Sequence, residues 1–287
     1  MAYTSFEDLR QATVEHESLA AAAIAREVDE TGVDAATIRT RMLEQLEVMR
    51  ESIAHGLSGT ARSRSGLTGG DAAKVAHSSA GPAGGTLAQT IARALAVGEV
   101  NASMGRIVAA PTGGASGVLP AVLLSVAEER SIPDRDIVDA LITASAIGAI
   151  IASRATLSGA AGGCQAEIGS AAAMAAAAVT ELLGGTADQS GHAASLALQG
   201  LLGLVCDPVG GLVEIPCVAR NATGAAVALA AAEMALAGVQ FPIPFDQVVD
   251  AAAMVGRSLP PSLKETAGGG LAVTPEGRRL GNVTREH

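Results

Sequence analysis

Three cysteines are the residues of this 287-residue chain best suited to chemistry. Cys164, Cys206 and Cys217 are separated by 42 and 11 positions, and no two of them form a C-x-x-C pair. Each stands beside glycine or proline at the edge of an expected helix, in the segments GGCQAE, LVCDPVGG and EIPCVAR. The free N–H groups and the dipole of a helix N-terminus favour a thiolate, which is the metal-binding form of cysteine. Three such sulfurs could together hold a metal ion or an inorganic cluster.

The number of cysteines narrows the choice of metal without deciding it. Iron–sulfur clusters normally take four cysteines, so three would leave one iron open to water or substrate, as a Lewis-acid site requires. Zinc is the competing metal, but no histidine stands at ligand spacing from the cysteines, and His192 is the closest in sequence. Free cysteines are also common as inert, buried thiols. The pattern therefore leaves a metal centre and a structural role both open.

A glycine-rich turn, APTGGASG at 110–117, is the second candidate site element. Consecutive glycines before a helix can present backbone N–H groups to a carboxylate or phosphate. The turn is neither a Walker loop nor a dinucleotide-binding fingerprint, because no Gly-Lys-Ser/Thr follows and the G-x-G-x-x-G spacing is missing. Its candidate substrate-binding residues are Thr112, Gly113, Gly114 and Ser116, and an ordinary loop is the alternative.

Further polar residues stand beside glycines elsewhere in the chain. Lys74 follows a glycine turn and could pair with a substrate carboxylate, or it could be a solvated residue in a capped helix. Arg220 and Asn221 in ARNATG and Glu265 in KETAGGG could be site residues or ordinary helix caps. We include Asn221 among the candidate substrate-binding residues. The histidines stand in no motif, and His77 is expected at the surface.

Composition and periodicity predict an all-α fold built as a single Ala- and Gly-rich helical domain. Four aromatic residues against 34 glycines indicate closely packed helices, since strands favour aromatic and β-branched residues. From the N-cap Asp34, apolar residues recur at helical spacing up to Leu57. We predict further helices at 86–100, 117–130, 134–153, 164–183, 189–205, 217–237 and 247–258. Asp134 is expected to cap its helix, and the tail from 260 is expected to be a loop.

The chain is predicted to have two parts. We divide the chain into a peripheral N-terminal helical segment, 1–65, and a helical domain, 66–287, which together form one structural unit.

A net charge of −10 argues against nucleic acid, whose binding depends on Lys and Arg. The apolar stretches 137–153 and 222–238 each contain an acidic residue and are shorter than a membrane span requires, so we expect no membrane insertion. The polar start and the odd cysteine count favour a reducing, cytoplasmic location.

Several long segments, in order, resemble the α chain of the iron–sulfur-dependent L-serine dehydratases. They are SGLTGGDA, EVNASMG, APTGGASGVLPAV, SGAAGGCQAEIGSAAAMAAAA, LLGLVCDPVGGLVEIPCVARNA and LKETAGGGLA. The resemblance runs from about 66 to 277 and is looser through the N-terminal helices. The chain is similar to the two-chain form, in which a separate β chain completes a heteromeric enzyme.

The resemblance implies a [4Fe–4S] cluster held by Cys164, Cys206 and Cys217. It also implies an ammonia-lyase that needs no pyridoxal phosphate, converts L-serine to pyruvate and ammonia, and serves L-serine catabolism and gluconeogenesis. The open iron would bind the β-hydroxyl of the substrate, and the loop at 112–117 its carboxylate. The family's Ser-Ser-Ser-His-Thr-type motif is absent here, so the general base is expected on the β chain. Two alternatives stay open, namely a related lyase acting on L-threonine or L-cysteine and a non-enzymatic helical scaffold.

Overall fold

The structure, a computed structural model, describes residues 3–283. Over that range the chain folds into thirteen α-helices and no strands, which confirms the all-α prediction. The helices are α1 Phe6–His16, α2 Leu19–Thr31, α3 Ala35–Leu57, α4 Asp71–His77, α5 Gly85–Ala102, α6 Val118–Arg130, α7 Asp134–Arg154, α8 Gly159–Gly162, α9 Ser170–Leu182, α10 Ala187–Gln199, α11 Cys217–Leu236, α12 Phe245–Ser258 and α13 Pro275–Val283. Short 3-10 turns lie at Val209–Gly211, Pro261–Leu263 and Gly270–Val273.

Helix α9, with the sequence SAAAMAAAAVTEL, lies at the centre of the fold. It packs against α6, α7, α10 and α11, and its residues from Ser170 to Thr180 are all buried. A helix that is apolar on every side is stable only when it is surrounded by protein. Its alanines let the neighbouring helix backbones approach closely, which is why the core needs few aromatic residues.

The N-terminal helices bury side chains in the same core as the rest of the chain. Leu9, Leu19 and Ile24 belong to the central apolar cluster. Helix α3 starts after the N-cap Asp34, as predicted, and its buried face includes Leu46. The boundary between residues 65 and 66 stays a prediction.

Helix α7 is long and apolar enough to cross a membrane by length and composition alone. Within its most apolar window, however, 61% of the residues are buried inside the protein. A core helix of a soluble protein passes the same test, so α7 by itself is weak evidence for a membrane span.

Four local predictions were wrong. Helix α10 ends at Gln199 instead of 205, because the following segment leaves the helix to bond with the loop that carries Cys164. That loop continues into a π-helical turn, Gln165–Gly169, before α9 begins. The tail includes a helix, α13, whose start is stabilised by a hydrogen bond from the Gly277 N–H to the Thr274 hydroxyl. Pro133, not Asp134, is the N-cap of α7, and Asp134 instead pairs with Arg50.

Candidate active site at three cysteines

The three cysteines come from separate segments of the chain. Cys164 immediately precedes the π-helical turn, and Cys217 is the first residue of α11. Cys206 lies on an extended segment that forms an isolated parallel bridge with Lys264. All three side chains are buried, with exposed fractions of 2%, 2% and 8% for Cys164, Cys206 and Cys217.

The thiols share one environment. The Cys164 and Cys206 side chains form a hydrogen bond, which lowers the pKa of Cys164 and raises that of Cys206. Burial raises the pKa of Cys217 to about 12, and the charges of Cys164 and Glu167 act in the same direction. The raised pKa values of Cys206 and Cys217 favour the protonated thiols, so a metal would have to displace their protons.

Arg220, one turn after Cys217 on α11, brings a positive charge to the sulfurs. Its guanidinium donates to the Val205 carbonyl at 2.8 Å, pairs with Asp207 at 2.8 Å and forms a hydrogen bond to the Cys164 thiol. The nearby charge of Arg220 lowers the pKa of Cys164. The residue therefore joins the segment around Cys206 to α11 and favours a thiolate at Cys164.

The segment containing KETAGGG holds Cys206 in place through backbone bonds. The Cys206 N–H donates to the Leu263 carbonyl at 2.9 Å, and the Glu265 N–H donates to the Cys206 carbonyl at 2.7 Å. The Asp207 carboxylate accepts from the Leu271 N–H at 2.7 Å. A Cβ at Gly270, where φ is +56°, would collide with that carboxylate, so a glycine is required there.

Asn221 braces the glycine loop at 112–117 against α11. Its Oδ1 accepts from the Gly117 N–H at 2.8 Å, and its Nδ2 donates to the carbonyls of Gly114 at 2.8 Å and Cys217 at 2.9 Å. Both amide hydrogens are therefore used within the protein, and the side chain is only 1% exposed. The buried Ser116 hydroxyl likewise bonds within the loop, to the Gly113 carbonyl at 2.8 Å.

Some backbone N–H groups at the start of the glycine loop are available as hydrogen-bond donors. The N–H groups of Ala115, Ser116 and Gly117 are bonded within the protein. Among the described residues, the N–H groups of Gly113 and Gly114 have no hydrogen-bond partner. These two glycines are partly accessible, so their N–H groups are available to a ligand.

Glu167 is a site residue that the sequence analysis did not single out. Its Oε1 accepts from the Thr112 hydroxyl at 2.8 Å, and burial raises the pKa of its carboxyl. A Cβ built at Gly159 would lie 2.7 Å from Glu167 Oε2 and 3.2 Å from Cys206 Sγ, so the carboxylate lies beside the cysteines. One signal was present in the sequence, because Glu167 is the sole charged residue between Arg154 and Glu181.

Comparison with known proteins supports the motif resemblance. The family model described as serine dehydratase alpha chain matches residues 11–272. The chain is 47% identical to the probable L-serine dehydratase, alpha chain, of Bacillus subtilis (strain 168), over 90% of this chain and 86% of that protein. It is 44% identical to the L-serine dehydratase, alpha chain, of Peptoniphilus asaccharolyticus, over 85% of this chain and 84% of that protein.

This chain belongs to the serine dehydratase alpha chain family. A longer relative, an L-serine dehydratase of Escherichia coli (strain K12), is 46% identical over 63% of this chain but only 40% of its own length. That protein therefore carries a large region with no counterpart in the matched part of this alpha chain.

Two other predicted residues of the alpha chain lie at the surface on α4. Lys74 has a side chain 77% exposed and pairs with Asp71 at 2.6 Å. The His77 ring interacts with the Ala73 carbonyl. Among the described residues, no hydrogen bond or ion pair joins Lys74 or His77 to the cysteine segments. The buried Glu99 carboxylate caps α4 by accepting three backbone N–H groups at its start.

Glu214 connects the SGLTGGDA loop to the segment between Cys206 and Cys217. It is 6% exposed and accepts from the Ser65 hydroxyl at 2.6 Å. Like Asp207, it was not predicted, since an acidic residue in a Pro- and Gly-rich loop is usually exposed. Its burial shows that the SGLTGGDA loop packs against the cysteine-bearing loop.

The donor set fits a cluster better than a single ion. Between residues 3 and 283, no three His, Cys, Asp or Glu side chains converge on a point that could hold one metal ion. A four-iron cluster makes a different demand, because its thiolates bind separate irons and surround the cluster. Three buried thiols from three segments, with a partly buried arginine to offset their charge, meet that demand. Cluster binding would replace the Cys164–Cys206 hydrogen bond with bonds to iron.

Proposed function

We propose that this chain is the alpha chain of an L-serine dehydratase that holds a [4Fe–4S] cluster through Cys164, Cys206 and Cys217. The observation that carries the proposal is the shared environment of three buried thiols from three segments of the chain. When bound, the cluster would supply a Lewis acid at the one iron without a cysteine ligand, which makes the β-hydroxyl of L-serine a better leaving group.

The residues of the glycine loop would bind the substrate. The free N–H groups of Gly113 and Gly114 suit the α-carboxylate of an amino acid, and the Asn221 brace keeps them in position. Preorganised donors of this kind cost little reorganisation as charge moves during the reaction. The reaction removes the α-proton and the β-hydroxyl as water, and the aminoacrylate product tautomerises and hydrolyses to pyruvate and ammonia.

The general base for the α-proton is the part that we assign to a partner. Among the described residues, no histidine forms a hydrogen bond with the cysteine segments or the glycine loop. We therefore propose that a β chain supplies the base and that the two chains act together in a reducing, cytoplasmic compartment. The longer relatives, in which the matched region is less than half of the protein, support the need for a second part.

Anaerobic co-expression of this chain with a β chain tests the proposal. We expect a brown complex that contains iron and sulfide and forms pyruvate from L-serine, whereas this chain alone is inactive. L-Threonine and L-cysteine, assayed beside L-serine, decide between the related lyases. A colourless complex without iron after reconstitution, and without lyase activity, would contradict the proposal and favour a scaffold.

Replacing one ligand tests the cysteine assignment. In the anaerobic complex with a β chain, we expect Cys217→Ser to lose the cluster and roughly 90% of activity or more, since losing even a group behind a ligand costs about 10- to 100-fold, while the chain keeps its helical circular dichroism. Ala235→Ser is the matched control, because it also places a serine at a buried position of α11, about 27 Å along the helix. Full iron content in Cys217→Ser would show that Cys217 is not a ligand.

A further inference from the structure

The second carboxylate oxygen of Glu167 has no hydrogen-bond partner between residues 3 and 283. Oε1 accepts from the Thr112 hydroxyl, but among the described residues no group donates to Oε2. No Lys, Arg or His of the described chain forms an ion pair with Glu167 either. Arg220, the nearby cation, is bonded to Asp207, Val205 and Cys164.

A cation from outside the chain would compensate the charge of Glu167. Glu167 is only partly exposed, so water solvates its charge incompletely, and an uncompensated charge in such a place is costly. Its raised pKa reflects the same burial. Because the open oxygen lies beside Cys206 and Gly159, any cation bound there would lie next to the proposed cluster.

The neighbouring donors indicate which cation fits. A Cβ built at Gly114 would lie 3.4 Å from Glu167 Oε1 and 3.6 Å from Oε2, so the glycine loop and the carboxylate are adjacent. The free N–H groups of Gly113 and Gly114 suit an anion, and the open Oε2 suits a cationic donor. An α-amino acid carries a carboxylate and an ammonium on the same carbon, and it would satisfy both.

We propose that Glu167 binds the α-ammonium group of the substrate and so makes the site select amino acids over hydroxy acids of the same size. The inference rests on the proposed function, because that function supplies the substrate. It assigns Glu167 a binding role in addition to its bond with Thr112.

The absence of a side chain at Gly159 is consistent with this assignment. No atom of that residue fills the space beside Glu167 Oε2, and a methyl group there would lie within 2.7 Å of the oxygen. Gly159→Ala should therefore weaken substrate binding by displacing the carboxylate. Gly81→Ala is the matched control, because a Cβ at Gly81 meets nothing within 4 Å.

The main test compares two ligands on the anaerobic complex of both chains. L-Alanine has the ammonium but no leaving group, and propionate lacks the ammonium. In Glu167→Gln, where the amide oxygen can still accept from Thr112, we expect L-alanine affinity to fall roughly 10- to 100-fold. Propionate affinity should change less than about threefold. Both are measured by calorimetry, with iron and sulfide content confirming that the cluster is retained.

Kinetics on L-serine provide the second measurement. Glu167→Gln should raise KM for L-serine by a similar factor, while inhibition by 3-hydroxypropionate, the substrate without its amino group, is nearly unchanged. Thr112→Val removes the hydrogen bond to Oε1 but leaves the carboxylate, so it should preserve the preference for L-alanine over propionate.

Three results would overturn the assignment. Equal losses of L-alanine and propionate affinity in Glu167→Gln would mean that Glu167 only positions the glycine loop. A fall in kcat with unchanged KM and unchanged L-alanine affinity would mean that it acts in proton transfer instead. Iron loss would make it part of the cluster site. If the wild-type complex forms no pyruvate but still prefers L-alanine through Glu167, the proposed reaction fails and the ammonium site stands.

Discussion

Replacing Asn221 with alanine removes the brace between the glycine loop and α11. The side chain is 1% exposed and makes three hydrogen bonds, to the Gly117 N–H and to the carbonyls of Gly114 and Cys217. Alanine supplies neither donor nor acceptor, so these three backbone groups lose their partner at a site that water reaches poorly. The loop should therefore detach from the first turn of α11.

The size of the effect follows from the number of bonds lost. Each hydrogen bond contributes about 1 kcal/mol net, and an unsatisfied buried group costs more. Three bonds thus give a loss of about 3 kcal/mol in the free energy of unfolding. For a chain of this length, 1 kcal/mol corresponds to a shift of about 2 °C in Tm. The expected fall in Tm is therefore about 6 °C.

Thermal and urea denaturation of the purified chain, followed by circular dichroism, measure this loss. Asn282→Ala is the control, since that asparagine is exposed on α13 and should change stability by less than about 0.5 kcal/mol. If Asn221→Ala shifts Tm no more than Asn282→Ala does, the side chain is not a brace and the reasoning fails.

Two further predictions concern the core. Burial raises the pKa of Glu181, whose carboxylate accepts from the Leu19 N–H. Glu181 therefore contributes its full stabilisation at pH values below its pKa in the unfolded chain. This stabilisation declines as pH rises through the pKa of Glu181 in the folded protein. The Tm of Glu181→Gln, measured relative to the Tm of wild type, should therefore rise as pH increases from 4 to 8. A difference in Tm that does not change with pH would contradict this. Gly56→Ala would drive a Cβ into the Ala96 backbone where α3 crosses α5, which should cost about 2 kcal/mol or more in urea denaturation. Gly81→Ala is the control for Gly56→Ala. If Gly56→Ala were more stable than wild type, α3 and α5 would not approach each other closely at Gly56.

The helices were largely predictable because their signals are local. The start of α3 after Asp34 and the span of α6 follow from a capping residue, apolar spacing and flanking glycine. The end of α10 was not predictable in this way. Gln165 accepts from the Gly203 N–H and donates its own N–H to the Leu204 carbonyl, so a loop 38 residues away in sequence decides where α10 stops.

The candidate site was likewise predictable only in part. The sequence by itself determined the residue types that could do chemistry, namely three cysteines and a glycine-rich turn, because composition and spacing are read directly from the chain. Only the tertiary structure decided that Glu167 and Arg220 face those sulfurs and that Asn221 is a brace. These contacts join segments as much as 107 residues apart, and the packing of helices around α9 sets them. No local pattern encodes such distances, because each depends on how every intervening helix packs.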